Sequence, residues 1–227
     1  MNSARVGNIS DVKKCLDYGV HKDSQDNTGG TALMEASLSG HKAVCELLIT
    51  RGCNVDMQAS NGDTALTIAS RWGHKAVCEL LITRGCNVDM QDNTGWTALI
   101  WASIGGHEAV CELLITRGCK VDMQDKFGRT ALMNASWKGH KAVCELLITG
   151  GCKVDMQNKY GDTALMRASA NGQIPTVISL IEAGCDYSLR NNQGKSAMDI
   201  LREKHPDKVK QVQVSRSPSA VVTHSLI

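Results

Sequence analysis

The sequence predicts an all-α solenoid, built from short helix–turn–helix units that recur every 33 residues and stack on one another. Three observations carry that expectation. The stretch HKAVCELLITRGCNVDMQ stands at His41–Gln58 and again, letter for letter, at His74–Gln91, with close copies at His107–Gln124 and His140–Gln157. Thr31-Ala32-Leu33 recurs on the same period at Thr64, Thr97, Thr130 and Thr163, and as Ser196-Ala197-Met198. Glycine keeps three columns, starting at Gly7, Gly19 and Gly29, which together hold 18 of the 21 glycines and mark three chain reversals per unit.

Two helices lie between those reversals. In TALMEASLSG, Leu33, Ala36 and Ser37 fall at i, i+3 and i+4 and share a face, as do Val44, Leu47 and Leu48 in HKAVCELLITRG. Gly52 then sits where a left-handed helix cap belongs. Helices of about ten residues are unstable alone. Such a unit must bury its apolar faces on its neighbours, which is the physics of a solenoid.

These residues resemble the ankyrin repeat: D-x-x-G-x-T-A-L at Asp92–Leu99, Gly106-His107 at the helix turn, and E-L-L-I-T-R-G-C at Glu112–Cys119. The family's T-P-L-H tetrapeptide is here T-A-L followed by Met, Thr or Ile. The resemblance implies helix pairs joined by β-turn tips, and covers nearly the whole chain. Residues 1–25 read as an N-terminal half repeat without its first helix, a cap or a truncated unit. Residues 26–190 hold five full repeats, beginning near Asp26, Ala59, Asp92, Asp125 and Asn158. Residues 191–214 read as a C-terminal capping partial repeat and 215–227 as a flexible tail. In the fifth repeat, Pro175 falls in the first turn of its helix, where its missing N–H costs little.

Composition narrows the function class. The net charge of +2 gives no reason to expect nucleic acid as a partner. No apolar run approaches the roughly 20 residues that span a bilayer, and the first residues lack the apolar core of a signal peptide. Ten cysteines without an export signal point to free thiols in a cytoplasmic or nuclear protein.

The cysteines form two columns, Cys45, Cys78, Cys111, Cys144 and Cys53, Cys86, Cys119, Cys152, Cys185. The flanking units place Val12 and Val177 in the first column and Val20 in the second, so both columns read as small apolar slots. Packed helices about 8–10 Å apart are too far for disulfides, whose Cα atoms lie within about 7 Å. No C-x-x-C pair has zinc spacing. His41, His74, His107 and His140, with Gln173 in the fifth repeat, are spread one per unit and so form no converging site. The family resemblance makes them turn-stabilising. No cofactor, metal or catalytic set is expected.

Function should instead lie where the copies differ. The turn position before Thr reads Gly30, Asp63, Trp96, Arg129, Asp162. First-helix positions read Glu35, Ile68, Trp101, Asn134, Arg167, then Leu38, Arg71, Ile104, Trp137, Ala170, then Ser39, Trp72, Gly105, Lys138, Asn171. These three columns lie at i, i+3 and i+4, opposite the constant Leu-Ala-Ser face. The resemblance implies that this face and the turn tips line a concave groove that grips another protein, with the chain acting as a monomeric scaffold. The candidate partner-binding residues are Trp72, Trp96, Trp101, Ile104, Phe127, Arg129, Trp137, Lys138, Tyr160 and Arg167, centred on an exposed Trp101 and Trp137. An exposed Trp on a polar face is costly to keep unless it meets something.

Two further motifs offer alternatives. Ser225-Leu226-Ile227 resembles a class I PDZ ligand, with Ser225, Ile227 and the terminal carboxylate as its contacts, which would make the chain a tethering adaptor for a PDZ-domain protein. KHPDK at Lys204–Lys208 resembles the signature of J-domain co-chaperones, and would fit a regulatory fragment of a chaperone or enzyme. Pro206 as the stop of a helix begun at Ser196 is the plainer reading.

Overall fold

The computed structural model describes residues 1–214, which contain fourteen helices and no β-strand. Two compact units make up the chain, Met1–Lys126 and Phe127–Ile227. In the first, α1 (Asn2–Arg5) and α2 (Ile9–Asp17) precede three helix pairs: α3 (Ala32–Leu38) with α4 (Lys42–Thr50), α5 (Ala65–Arg71) with α6 (Lys75–Thr83), and α7 (Ala98–Gly105) with α8 (Glu108–Thr116). The second holds α9 (Ala131–Lys138) with α10 (Lys141–Thr149), α11 (Ala164–Ala170) with α12 (Ile174–Glu182), and α13 (Ala197–Lys204) with α14 (Val209–Val214). The first unit differs from the sequence expectation at its start. A single helical turn, α1, stands where a first helix seemed to be missing, and it packs on α3.

From α3 on, each first helix starts at the recurrent threonine or its serine counterpart. Thr31, Thr64, Thr97, Thr130 and Thr163, and Ser196 at the end, turn their hydroxyl back to accept the N–H three residues on. That cap satisfies one donor of the opening turn and holds these short helices in register. The constant face is the core: Leu33, Ala36 and Ser37, and their counterparts Leu66, Ala69 and Ser70, are buried, with Val44 and Leu48 meeting them from the second helix.

Among the described residues, the 18 columnar glycines are the ones with positive φ. At Gly40 a second constraint applies besides φ of 74°: a Cβ would lie 2.7 Å from the His74 ring of the next repeat. The histidine column explains that closeness. His41, His74 and His107 donate from Nε2 to the carbonyls of Arg5, Leu38 and Arg71, at 3.0, 3.0 and 2.9 Å. Each histidine thus tethers its own unit to the first helix of the unit before it.

The repeated D-x-Q, D-S-Q at Asp23 and D-M-Q from Asp56 on, supplies two more tethers. Gln25, Gln58 and Gln91 each donate to the turn glycine of their own unit and to the glutamine carbonyl one repeat on. Asp23, Asp56 and Asp89 accept the backbone N–H of Asn54, Asn87 and Lys120. Constancy in the second half of each unit is therefore the chemistry of stacking.

Candidate protein-binding face

The variable columns are not one solvent-facing strip. In the first unit, Trp101 is half-buried and its indole N–H donates to Asp92 Oδ2 at 3.0 Å. The Arg71 guanidinium lies 3.4 Å over its ring, and Trp96 meets it edge-on with centroids 4.3 Å apart. Trp96, also half-buried, donates from Nε1 to Asp125 Oδ2 at 2.9 Å. Arg71 is in turn held by both oxygens of the buried Asp63, at 3.0 and 3.1 Å. Trp101 is thus not the exposed aromatic that its column suggested. Its position faces the neighbouring first helix, and Asn134 of the same column is 1% exposed. Of the four tryptophans only Trp72, just after α5, is exposed, while Ile104 on α7 is half-buried.

The second unit carries the same pair in reverse order. Trp137 occupies the column of Arg71, and Arg167, one repeat on, occupies the column of Trp101; their groups lie 5.3 Å apart. The ammonium of Lys138 stands 4.8 Å over the Trp137 ring. At the turn tips Phe127 and Tyr160 are exposed, with Arg129 4.8 Å over Phe127. Trp137, Tyr160 and Arg167 meet in a pocket of about 390 Å³ between α11 and α13, whose walls include Lys195, Glu203 and Lys204.

Sequence columns named Trp137, Tyr160 and Arg167 but not the last three. Lys195 continues the turn column, and Glu203 and Lys204 continue the two outer helix columns. Carrying those columns into the partial last repeat would have found them.

A pocket of the same origin opens four repeats earlier, between α3 and α5, with a volume of about 280 Å³. Glu35 stands there in the column of Arg167, and Asp63 in the column of Lys195.

The cysteine columns take no part in either pocket. Burial pushes the thiols of Cys45, Cys78 and Cys144 up to about 11, against smaller opposing hydrogen bonds from serines. Burial and then the carboxylates of Asp56, Asp89 and Asp155 raise Cys86, Cys119 and Cys185 to about 12. Protonated, enclosed thiols of this kind are inert packing groups. Val12 and Val177 are buried in the first column, whereas Val20, in the second, is exposed. Among the described residues no cluster of His, Cys, Asp and Glu has the makings of a metal site, and no helix is long and apolar enough to cross a membrane.

His205 of KHPDK does the work of the histidine column, its Nε2 lying 3.2 Å from the Ala170 carbonyl. Pro206 opens a 3-10 turn that leads into α14. Ser225 and Ile227, with the tail 215–227, fall outside the described residues.

A family model for ankyrin repeats matches in overlapping copies from residue 1 to residue 211. The chain belongs to the ankyrin repeat family. Among solved structures, the human ASB11 ankyrin repeat domain is similar over 96% of this chain and 97% of its own, at 24% identity and a TM-score of 0.84. The ankyrin repeat domain of Bcl-3, a member of the IkappaB family, is similar over 93% of this chain and 96% of its own, at 25% identity and a TM-score of 0.79. No curated protein sequence matches this chain. Ankyrin repeats are protein–protein interaction modules, and the fold places the variable residues of this chain on first helices and turn tips.

Proposed function

We propose that this ankyrin array is a scaffold that binds a partner protein through its first helices and turn tips, and acts by binding rather than catalysis. One observation carries the reading. The constant columns are consumed by stacking, as Thr caps, His and Gln tethers and apolar core, whereas the variable columns line the pockets between first helices. Variation on first helices and turn tips over a constant stacking frame is what a scaffold adapted to a particular partner requires. Exposed Trp72, Phe127 and Tyr160 add the aromatic character typical of binding hot spots.

A photo-crosslinking residue placed singly at Trp72, Tyr160, Glu112 or Glu145 tests this in cells that make the protein. The first two positions should capture a defined partner band, and the two second-helix glutamates should not. Crosslinks confined to Glu112 and Glu145 would place the binding face on the other side.

A further inference from the structure

We infer that the pocket between α11 and α13 takes an acidic peptide segment, a Glu or Asp side chain of a partner protein flanked by apolar residues. The inference rests on the binding reading above and adds the chemistry of the partner.

Charge decides it. Arg167, Lys195 and Lys204 line the pocket, and Lys138 stands over the Trp137 wall, against only two carboxylates, Asp162 and Glu203. Glu203 and Lys195 pair with each other and Asp162 accepts from the Asn191 amide at 2.9 Å, so the positive excess is carried by Arg167, Lys204 and Lys138. Cationic character therefore dominates the mouth, with field lines focused between low-dielectric walls. The walls are the ring of Trp137, the exposed ring of Tyr160 and the buried side chains Met166 and Ile200. A guanidinium held beside an indole is suited to take a carboxylate in its plane while the ring packs apolar neighbours. At about 390 Å³ the pocket is at the small end of ligand sites, which fits a few side chains of an extended segment.

The homologous gap between α3 and α5 shows that this charge is a property of the site and not of the fold. Its walls carry Glu35 and Asp63 where this pocket carries Arg167 and Lys195, and cations of the same unit, Arg5 and Arg71, already sit on those two carboxylates.

Selection of a random-peptide phage library on the immobilised full chain, followed by fluorescence anisotropy with the selected synthetic peptides, tests the inference. Peptides enriched in Glu and Asp are expected. Their affinity should fall about tenfold or more in Lys138→Glu/Lys204→Glu, two exposed positions at which the fold, followed by circular dichroism, is retained. It should also weaken as salt rises from about 50 to about 500 mM, because the charges meet near solvent. Acidic peptides that bind the charge-reversed variant as tightly as the parent would overturn the assignment, as would peptides that bind only when phosphorylated. Neutral or basic peptides that are lost in Trp137→Ala would overturn the partner chemistry and leave the binding reading standing. Failure of that reading would be seen separately, as loss of the Trp72 and Tyr160 crosslinks.

Discussion

The gap between α3 and α5 and the gap between α11 and α13 are the same place in the repeat, four units apart, and they carry opposite charge. Met34 and Met166 form the same floor, Ile68 and Ile200 the same wall. Around that shared frame Glu35 gives way to Arg167 and Asp63 to Lys195. The first unit answers its carboxylates internally, with Arg5 at 3.8 Å from Glu35 and Arg71 at 3.0 Å from Asp63. The second pairs Lys195 with Glu203 and keeps an excess of cations at a pocket mouth. Stacking fixes the backbone and the floor, so a few column positions are enough to give one frame a balanced internal network or a pocket with excess positive charge.

The largest expected effect breaks that contrast at its aromatic centre. Trp101→Ala removes an indole hydrogen bond, the Arg71 stack and the Trp96 edge contact together, and should cost about 2–4 kcal/mol in urea unfolding. Trp72→Ala, in the exposed outer column, should stay within about 0.5 kcal/mol. Equal costs for the two would mean that Trp101 is a free surface residue and that the first unit holds no closed network.

Asp63 and Asp162 sharpen the comparison because they share the turn column. Asp63 is buried, accepts both contacts from Arg71 and also receives the Thr67 hydroxyl at 3.2 Å. Asp162 is half-buried and accepts from the Asn191 amide. Asp63→Asn should cost about 1.5–3 kcal/mol, the range for charge-assisted bonds. Asp162→Asn should cost under about 0.5 kcal/mol, because an amide oxygen still accepts from Asn191. Thermal melts of the two variants settle the order.

The buried thiols test the constant columns, which both units share. Cys45, Cys78 and Cys144 are raised from the ordinary thiol value near 9 to about 11, and Cys86, Cys119 and Cys185 to about 12. Each holds its proton more tightly folded than unfolded. Their contribution to stability is whole below pH 9 and is lost as pH rises toward 11–12. Far-UV circular dichroism during alkaline titration should therefore show falling stability across that window. Cys45→Val with Cys78→Val should make the fall shallower, at a cost near neutral pH of at most about 1–2 kcal/mol, since Val12 and Val177 already fill the same slot. A fall equally steep in the double variant would assign the alkaline loss to other groups.

The frame was legible in the sequence because its physics is periodic. Glycines that must take positive φ, and apolar residues that must face a neighbour, recur at fixed intervals and announce themselves. What escaped was which variable residues touch each other. Trp101 and Arg71 lie in different columns of different repeats, and their contact depends on how one first helix leans on the next. The wholly repeated Asp and Gln were equally hard to assign, since sameness hid that Gln58 donates to Gln91 and Asp56 accepts from Asn87. Lys195 and Lys204 were missed for a different reason: the columns were not followed into the divergent last repeat.

The smallest expected effect concerns the histidine tether, where the two units differ by natural substitution. In the first unit the His74 ring packs on Gly40 and donates to the Leu38 carbonyl at 3.0 Å. In the second, Gln173 holds the same position, and its side-chain amide lies against Gly139 as the His74 ring lies against Gly40. There the carbonyl equivalent to that of Leu38, on Trp137, accepts from the Asn171 amide at 2.7 Å, whereas Trp72 holds the position of Asn171 in the repeat of His74. An amide at position 74 has the N–H to take over the tether, so His74→Gln should change stability by no more than about 0.5 kcal/mol. His74→Ala should cost about 1 kcal/mol, the worth of one net hydrogen bond. Hydrogen exchange at the start of α6, compared between the two variants, reads the tether directly: faster exchange in the alanine variant and parental rates in the glutamine variant. Parental exchange in both would show that stacking in the first unit is carried by the Gln and Asp ladders without the histidine.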